Sequence, residues 1–287
     1  MPSRPRRRRL VSFPRTVGLA SPRGSAVSPP PSTPALSVGL IGFGAFGRLI
    51  ARHLAPHLRV LAHDPFVAAD AFGPDAVPAD LATAAACPVV ILATPVPALR
   101  AVARALAPHL RPGALVADVG SVKVVPAAIL REELPAHAEI LATHPLFGPQ
   151  SARDGIRGLK LAACPVRGRG GLRAAAFLRR LLGLEVILTT PEAHDREMAV
   201  VQGLTHLVAK VLVRMEPLPA RMTTRSFERI MEAVGMVRHD APEVFAAIER
   251  QNPFAPQVRR RFLALAAELE AELDADRSVA PRLALVR

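Results

Sequence analysis

Ser37-Val38-Gly39-Leu40-Ile41-Gly42-Phe43-Gly44-Ala45-Phe46-Gly47 is the stretch that decides the fold. Its first five residues predict a short apolar strand, Ser37–Ile41. Ala45–Leu54 then carries apolar residues at helical spacing. Between the two, Gly42, Gly44 and Gly47 have the G-x-G-x-x-G spacing. The first glycine permits a tight turn, the second lets a pyrophosphate approach the backbone, and the third lets helix and strand pack closely. The pyrophosphate would sit on the helix N-terminus, where free N–H groups point outward. Gly42, Phe43, Gly44, Ala45, Phe46 and Gly47 are therefore candidate contacts to a dinucleotide.

Downstream, short apolar runs alternate with helical patterns. Strands are expected at Arg59–Ala62, Val89–Ala93, Ala114–Asp118 and Glu139–Ala142, with helices at Pro97–Ala107 and Val122–Leu130. That alternation implies a parallel sheet with right-handed crossovers, an α/β doubly wound domain. Leu159–Pro165, a helix over Gly171–Leu182 and Glu185–Leu188 finish it. After Thr189 the pattern changes. Thr190-Pro191-Glu192 offers a hydroxyl cap, a first-turn proline and an acid at the positive helix end. A helix from there runs to about Met215. Ser226–Val237, Ala241–Arg250 and Gln257–Leu273 also read as helices. The expected organisation is a disordered Arg/Pro-rich extension over 1–36, a dinucleotide-binding domain over 37–188, a smaller all-helical domain over 189–275 and a tail over 276–287.

The bulk numbers narrow the class. Half of the 287 residues are hydrophobic, enough for a sizeable core. Two cysteines, Cys87 and Cys164, do not make a disulfide framework and point to a reducing compartment. The net charge of +13 is uneven: residues 1–36 hold seven Arg and no acid, which leaves 30 basic and 24 acidic residues, a net +6, for the rest. The extension lacks aromatic stacking residues and any nucleic-acid module, which argues against a nucleic-acid partner. It is acid-free and rich in Arg, Ser and Pro, as organelle transit peptides are. The compartment is accordingly cytoplasmic, or plastid if the extension is such a peptide. Leu81–Leu99 is uncharged but broken by Pro88, Pro95 and Pro97, so no membrane span is expected.

Chemistry gathers where strands end. Asp64 lies 22 residues beyond Gly42. A carboxylate there accepts ribose hydroxyls and repels a 2′-phosphate, favouring NAD while leaving NADP open; a turn role before Pro65 is the alternative. Thr94 ends the third strand at the crevice edge. Ser121, in Asp118-Val119-Gly120-Ser121-Val122-Lys123, would project a hydroxyl into the same crevice or cap the next helix. His144, in His144-Pro145-Leu146-Phe147-Gly148-Pro149, sits as a lone imidazole on a loop stiffened by Pro and Gly. On the long helix Met198, Gln202 and His206 are four apart and share one face; His194 and Asp195 lie near its first turn. No metal-ligand cluster is expected.

Taken in order, Gly42–Gly47, Ile91-Leu92-Ala93-Thr94-Pro95, Asp118–Lys123, His144–Pro149 and Gln202-Gly203-Leu204-Thr205-His206-Leu207 resemble the prephenate/arogenate dehydrogenases, over roughly residues 37–270. The resemblance implies oxidative decarboxylation of a cyclohexadienol, with hydride passing to NAD. It makes His144 the general base, Ser121 its partner at the reacting hydroxyl, and His206 and Gln202 substrate contacts. It carries a carboxylate-binding Arg to Arg225, with Arg229 as competitor. Asp154 would suit an amino-acid substrate and Arg157 a keto acid. A homodimer is also implied. Two other readings remain: a two-domain dehydrogenase of the β-hydroxyacid type, which wants a catalytic Lys on the long helix where only Lys210 stands, and a non-catalytic nucleotide-sensing or nucleic-acid-binding protein.

Overall fold

In the computed structural model, residues 36–279 are described. The readings placed on 1–35 and from 280 onward, including the transit-peptide alternative, lie outside them. The strands are β1 (Ser37–Ile41), β2 (Arg59–His63), β3 (Val77–Pro78), β4 (Val89–Leu92), β5 (Leu115–Asp118), β6 (Glu139–Pro145), β7 (Lys160–Arg167) and β8 (Glu185–Leu188). Around them lie α1 (Ala45–Leu54), α2 (Leu81–Ala85), α3 (Leu99–Leu106), α4 (Val124–Glu133) and α5 (Gly170–Arg180). Four helices follow: α6 (Pro191–Arg214), α7 (Arg225–Val237), α8 (Pro242–Ala246) and α9 (Ala255–Val279).

One eight-stranded sheet has the order β3-β2-β1-β4-β5-β6-β7-β8. Its first six strands follow the doubly wound dinucleotide-binding order, and the direction of winding reverses between β1 and β4. The expectation of an all-parallel sheet fails at one pair. β7 runs antiparallel to β6, with His144 opposite Ala162 and Pro145 opposite Leu161. The cause is the connection: residues 146–159 form turns and no crossover helix, so the chain folds straight back. The same pairing lengthens β6. His144 therefore stands in a strand, not on the loop where its Pro and Gly neighbours suggested.

Both sheet faces are covered. Val90, Leu92, Val116 and Ile140 pack against Leu99, Leu106 and Leu130 of α3 and α4. On the other side Leu115, Leu141 and Leu161 meet Leu49 of α1 and Ala175 of α5. β5 is buried along its whole length, as a central parallel strand should be. The helical part begins as its sequence signals: the Thr190 side chain accepts the Ala193 amide at 3.2 Å, ahead of Pro191. The helix expected over Ala241–Arg250 divides into α8 and a π-helical turn, Ala247–Gln251. Ala247 of that turn packs on Val96 and Val122, just beyond the ends of β4 and β5.

Gly39 tests how tightly α2 lies on β1, because a Cβ there would overlap the backbone carbonyl of Ala84. Backbone cannot yield as a side chain tip does. Gly39→Ala is expected to destabilise the protein by at least about 1–3 kcal/mol, the usual cost of overpacking, measured by urea denaturation.

Candidate active site

The glycine loop occupies the reversal between β1 and β4. Gly42 has φ +97°, and a Cβ on it would come within 2.6 Å of the Ala93 carbonyl oxygen. Gly47 admits none either, since it would run into the Gly42 carbonyl. At Gly44 a Cβ would meet nothing within 4 Å. Two glycines thus serve backbone packing, while the middle one opens on empty space. Phe43 is buried and stacks on Phe72 at 4.6 Å, so its ring belongs to the core and only its backbone is at the loop. Phe46 packs against Phe147, two residues beyond the end of β6, with ring centroids 6.3 Å apart. Asp64 holds the loop from below: one carboxylate oxygen accepts the Phe43 amide at 2.7 Å and the other the Phe66 amide at 2.9 Å. Thr94 Oγ1 is buried without a hydrogen-bond partner. An open glycine, a helix N-terminus and an unpartnered buried hydroxyl fit a bound dinucleotide.

Beside the loop, β5 and β6 deliver a buried polar cluster. Lys123 and Asp118 are both buried and form an ion pair. The ammonium also donates to the Thr143 carbonyl at 2.5 Å, and Asp118 accepts the Gly120 amide at 3.0 Å. The Asp118 carboxyl is raised above its ordinary value: burial outweighs the Lys123 cation. Its Oδ1 is left without a partner.

His144 is 4% exposed and is not a lone imidazole. Its Nδ1 lies 2.9 Å from Nε2 of His194, and His194 Nδ1 lies 2.8 Å from Oδ1 of Asp195. The Asp195 carboxylate accepts the backbone amides of Lys123 (2.8 Å) and Val124 (2.9 Å). It thereby caps α4 from the helical part of the chain. Asn252, just past the π turn, donates to the Asp195 carbonyl at 2.8 Å. Burial, reinforced by His194 and Lys123, holds the His144 pKa well below 6.5. Cys164, on the neighbouring strand, is pushed up to about 12 by burial and is an inert thiol.

The remaining candidates divide. Ser121 is partly exposed, and its hydroxyl does not cap α4, whose cap residue is Lys123. Gln202 has its Oε1 buried and unpartnered. His206 is buried, with Nε2 3.8 Å from Asp240, about 18 Å along α6 from His194 at 1.5 Å per residue. Burial, with Lys210 nearby, lowers its pKa to about 4. Arg225 and Arg229 are exposed on α7, paired with Glu228 and Glu232 three residues on. Asp154 and Arg157 line a surface cavity of about 470 Å³ with Arg52, His53 and His57, and that lining includes neither His144 nor Ser121. The structure thus joins His144 to His194, Asp195 and the Lys123–Asp118 pair, and does not bring Arg225 to them. His194 had a legible signal: it precedes Met198 by four residues and extends the Met198–Gln202–His206 stripe.

Two family models match the chain: "Prephenate dehydrogenase, nucleotide-binding domain" over residues 62–159, and "Prephenate dehydrogenase, dimerization domain" over 190–278. The chain belongs to the prephenate/arogenate dehydrogenase family. Arogenate dehydrogenase 2, chloroplastic, of Arabidopsis thaliana is 30% identical over 234 residues, 77% of this chain and 65% of that protein. The probable arogenate/prephenate dehydrogenase of Methanocaldococcus jannaschii is 28% identical over 185 residues, 61% of this chain and 41% of that one. The chain thus spans less than two thirds of the length of either relative. In fold it is similar to the prephenate dehydrogenase of Aquifex aeolicus, solved in complex with hydroxyphenyl propionate and NAD+. That likeness has a TM-score of 0.67 and 21% identity, and covers 86% of this chain and 94% of the other. Among the described residues no helix is long and apolar enough to cross a membrane, and no group of three or more His, Cys, Asp or Glu could hold a metal ion.

The buried pair gives one expected outcome. Lys123→Met leaves the Asp118 carboxylate buried without its cation, and is expected to cost about 3–5 kcal/mol. The double variant with Asp118→Asn recovers part of that loss, and a double-mutant cycle of urea midpoints reads the difference. His206 gives a second. A histidine buried neutral costs stability wherever the unfolded chain is protonated and the folded one is not. Stability is therefore full above pH 6.5 and falls as the pH drops toward 4. In His206→Gln the decline of Tm between pH 7 and 4.5 becomes shallower.

Proposed function

We propose that this protein oxidatively decarboxylates prephenate or arogenate, with NAD as hydride acceptor, in tyrosine biosynthesis. The observation that carries the reading is the position of His144: a buried neutral imidazole at the carboxyl end of β6, on the sheet edge that also holds the glycine loop. Family membership supports the substrate class. Gly42–Gly47 and Thr94 hold the dinucleotide and Asp64 favours NAD over its 2′-phosphate, with residues 37–188 forming that domain and 189–275 the substrate and dimer domain. When bound, NAD accepts the hydride from the carbinol carbon.

The chain's own residues handle the proton. His144 Nε2 makes no hydrogen bond to another described residue, so its lone pair is available to the substrate hydroxyl. The hydroxyl proton passes to Nε2, and the C–H bond releases hydride. The ring carboxylate then leaves as carbon dioxide, and its C–C electrons complete the aromatic ring. Ser121, its hydroxyl not used in capping α4, orients the reacting hydroxyl. Gln202 and His206 contact the substrate. Arg225, held only in an exposed ion pair that contributes little, exchanges Glu228 for a substrate carboxylate. A homodimer completes the molecule: Phe262, Leu265, Leu269 and Leu273 form an exposed apolar stripe on α9, and Val201 and Val211 are exposed on α6.

Two measurements check this reading. With NAD and either substrate, the purified protein forms NADH at 340 nm. His144→Asn lowers kcat by about 10²–10⁴-fold, the share of a positioned base, while the Kd for NAD changes little. The pH profile follows from the His144 pKa. Its base form is already complete at neutral pH, so the acid limb of kcat/KM lies below pH 6.5, and rate is lost only as pH falls through that lower value. A limb at or above 6.5 counts against His144 as the base.

A further inference from the structure

The base needs one particular tautomer, and the structure contains a device that selects it. For His144 to accept a proton at Nε2, its own ring proton must sit on Nδ1. The His144 Nδ1 faces His194 Nε2 at 2.9 Å, so one of those two nitrogens donates and the other accepts. The choice is made one step further back. Asp195 is fully buried, and each of its oxygens accepts a backbone N–H at the positive end of α4. Two amide donors at a helix N-terminus make that side chain an acceptor on both oxygens. His194 Nδ1, 2.8 Å from Oδ1, must therefore be the protonated nitrogen. A neutral His194 is then bare at Nε2 and accepts from His144 Nδ1–H. The opposite arrangement sets two lone pairs against each other at 2.8 Å.

We propose that His194 and Asp195 are positioning residues for the reaction, fixing His144 as its Nδ1–H tautomer with the Nε2 lone pair toward the substrate. This rests on the reading of His144 as general base. Neither residue touches the substrate. Both rings are also fixed in orientation, His194 lying edge-on to His144 with an interplanar angle of 72°. Once Nε2 takes the substrate proton, His144 becomes an imidazolium, and its Nδ1–H stays in the bond to His194. The positive charge then lies one ring away from the Asp195 carboxylate. The logic is that of an acid–base triad with an imidazole inserted between base and carboxylate. The neutral state on which this depends is the one that burial, His194 and Lys123 favour at His144.

The decisive measurement is the ¹⁵N spectrum of the full chain labelled at histidine, at pH 7.5 without ligands, with His144 and His194 assigned from His144→Asn and His194→Gln. Both rings are expected neutral and protonated at Nδ1. An Nε2–H tautomer at His144, or an imidazolium at His194, overturns the inference and leaves the base assignment to stand or fall on His144→Asn. In His194→Leu the acceptor is gone. His144 should then shift toward Nε2–H, and kcat should fall at least about tenfold and by no more than the ~10²–10⁴ that a general base contributes, with KM for NAD within twofold. His194→Gln, whose amide oxygen can accept from Nδ1–H, should recover most of that loss. An equal loss in both variants, or a KM effect alone, overturns the positioning role. A tautomer that changes as stated without any change in kcat instead removes His144 as the base.

Discussion

The Asp195 carboxylate, seated on the first amides of α4, is the interaction on which the site depends. It performs three tasks at one point. As a helix cap it satisfies two backbone donors that no side chain of α4 reaches, since Lys123 supplies no capping bond. Because it comes from α6, it fastens the helical part of the chain to the sheet. Through His194 it reaches His144, the buried imidazole of β6. Fully buried and bonded on both oxygens, it has no slack: a shift of α6 would move the His194 and His144 rings with it.

Around this point the cluster is arranged so that one cation and its counter-ion are buried together. Lys123 offsets the Asp118 charge and donates to the Thr143 carbonyl, next to His144. A buried ion pair contributes little net stability, yet breaking it is expensive. Its value here is positional: it ties the end of β5 to the end of β6, and its positive charge disfavours protonation of His144. The cation thereby helps keep the His144 ring neutral.

Much of this architecture was legible in the sequence where physics is local. The glycine spacing, the strand before it and the cap at Thr190 each report conditions within a few residues, and β1, α1 and α6 lie where those signals put them. What failed was non-local. Nothing within Leu146–Leu159 states that β7 will return antiparallel, so the extension of β6 through His144 was missed. The capping of α4 was also unreadable, because the capping oxygen lies about seventy residues downstream of the amides it accepts. The alternative of Ser121 as the cap followed a sound local rule, and a distant carboxylate takes that place instead. The Met198–Gln202–His206 stripe was visible, but its continuation back to His194 acquires meaning only once β6 is beside it.

The contrast between His194 and His206 shows why position on one helix face does not make residues equivalent. Both are buried on α6, twelve residues apart. His194 has a carboxylate fixed at hydrogen-bonding distance and a second imidazole beyond it. Among the described residues His206 faces Asp240, at 3.8 Å and partly exposed, and burial, with Lys210 nearby, lowers its pKa to about 4. A ring in the first setting has its tautomer dictated by neighbours that cannot change theirs. A ring in the second is simply neutral, and either nitrogen can turn to meet a donor or acceptor. The first setting suits a residue that must hold another in register, the second a residue that must adapt to a ligand. That division follows from which neighbours are acceptor-only and fully bonded, and it makes the charged anchor at Asp195, rather than the imidazoles themselves, the element that orders the site.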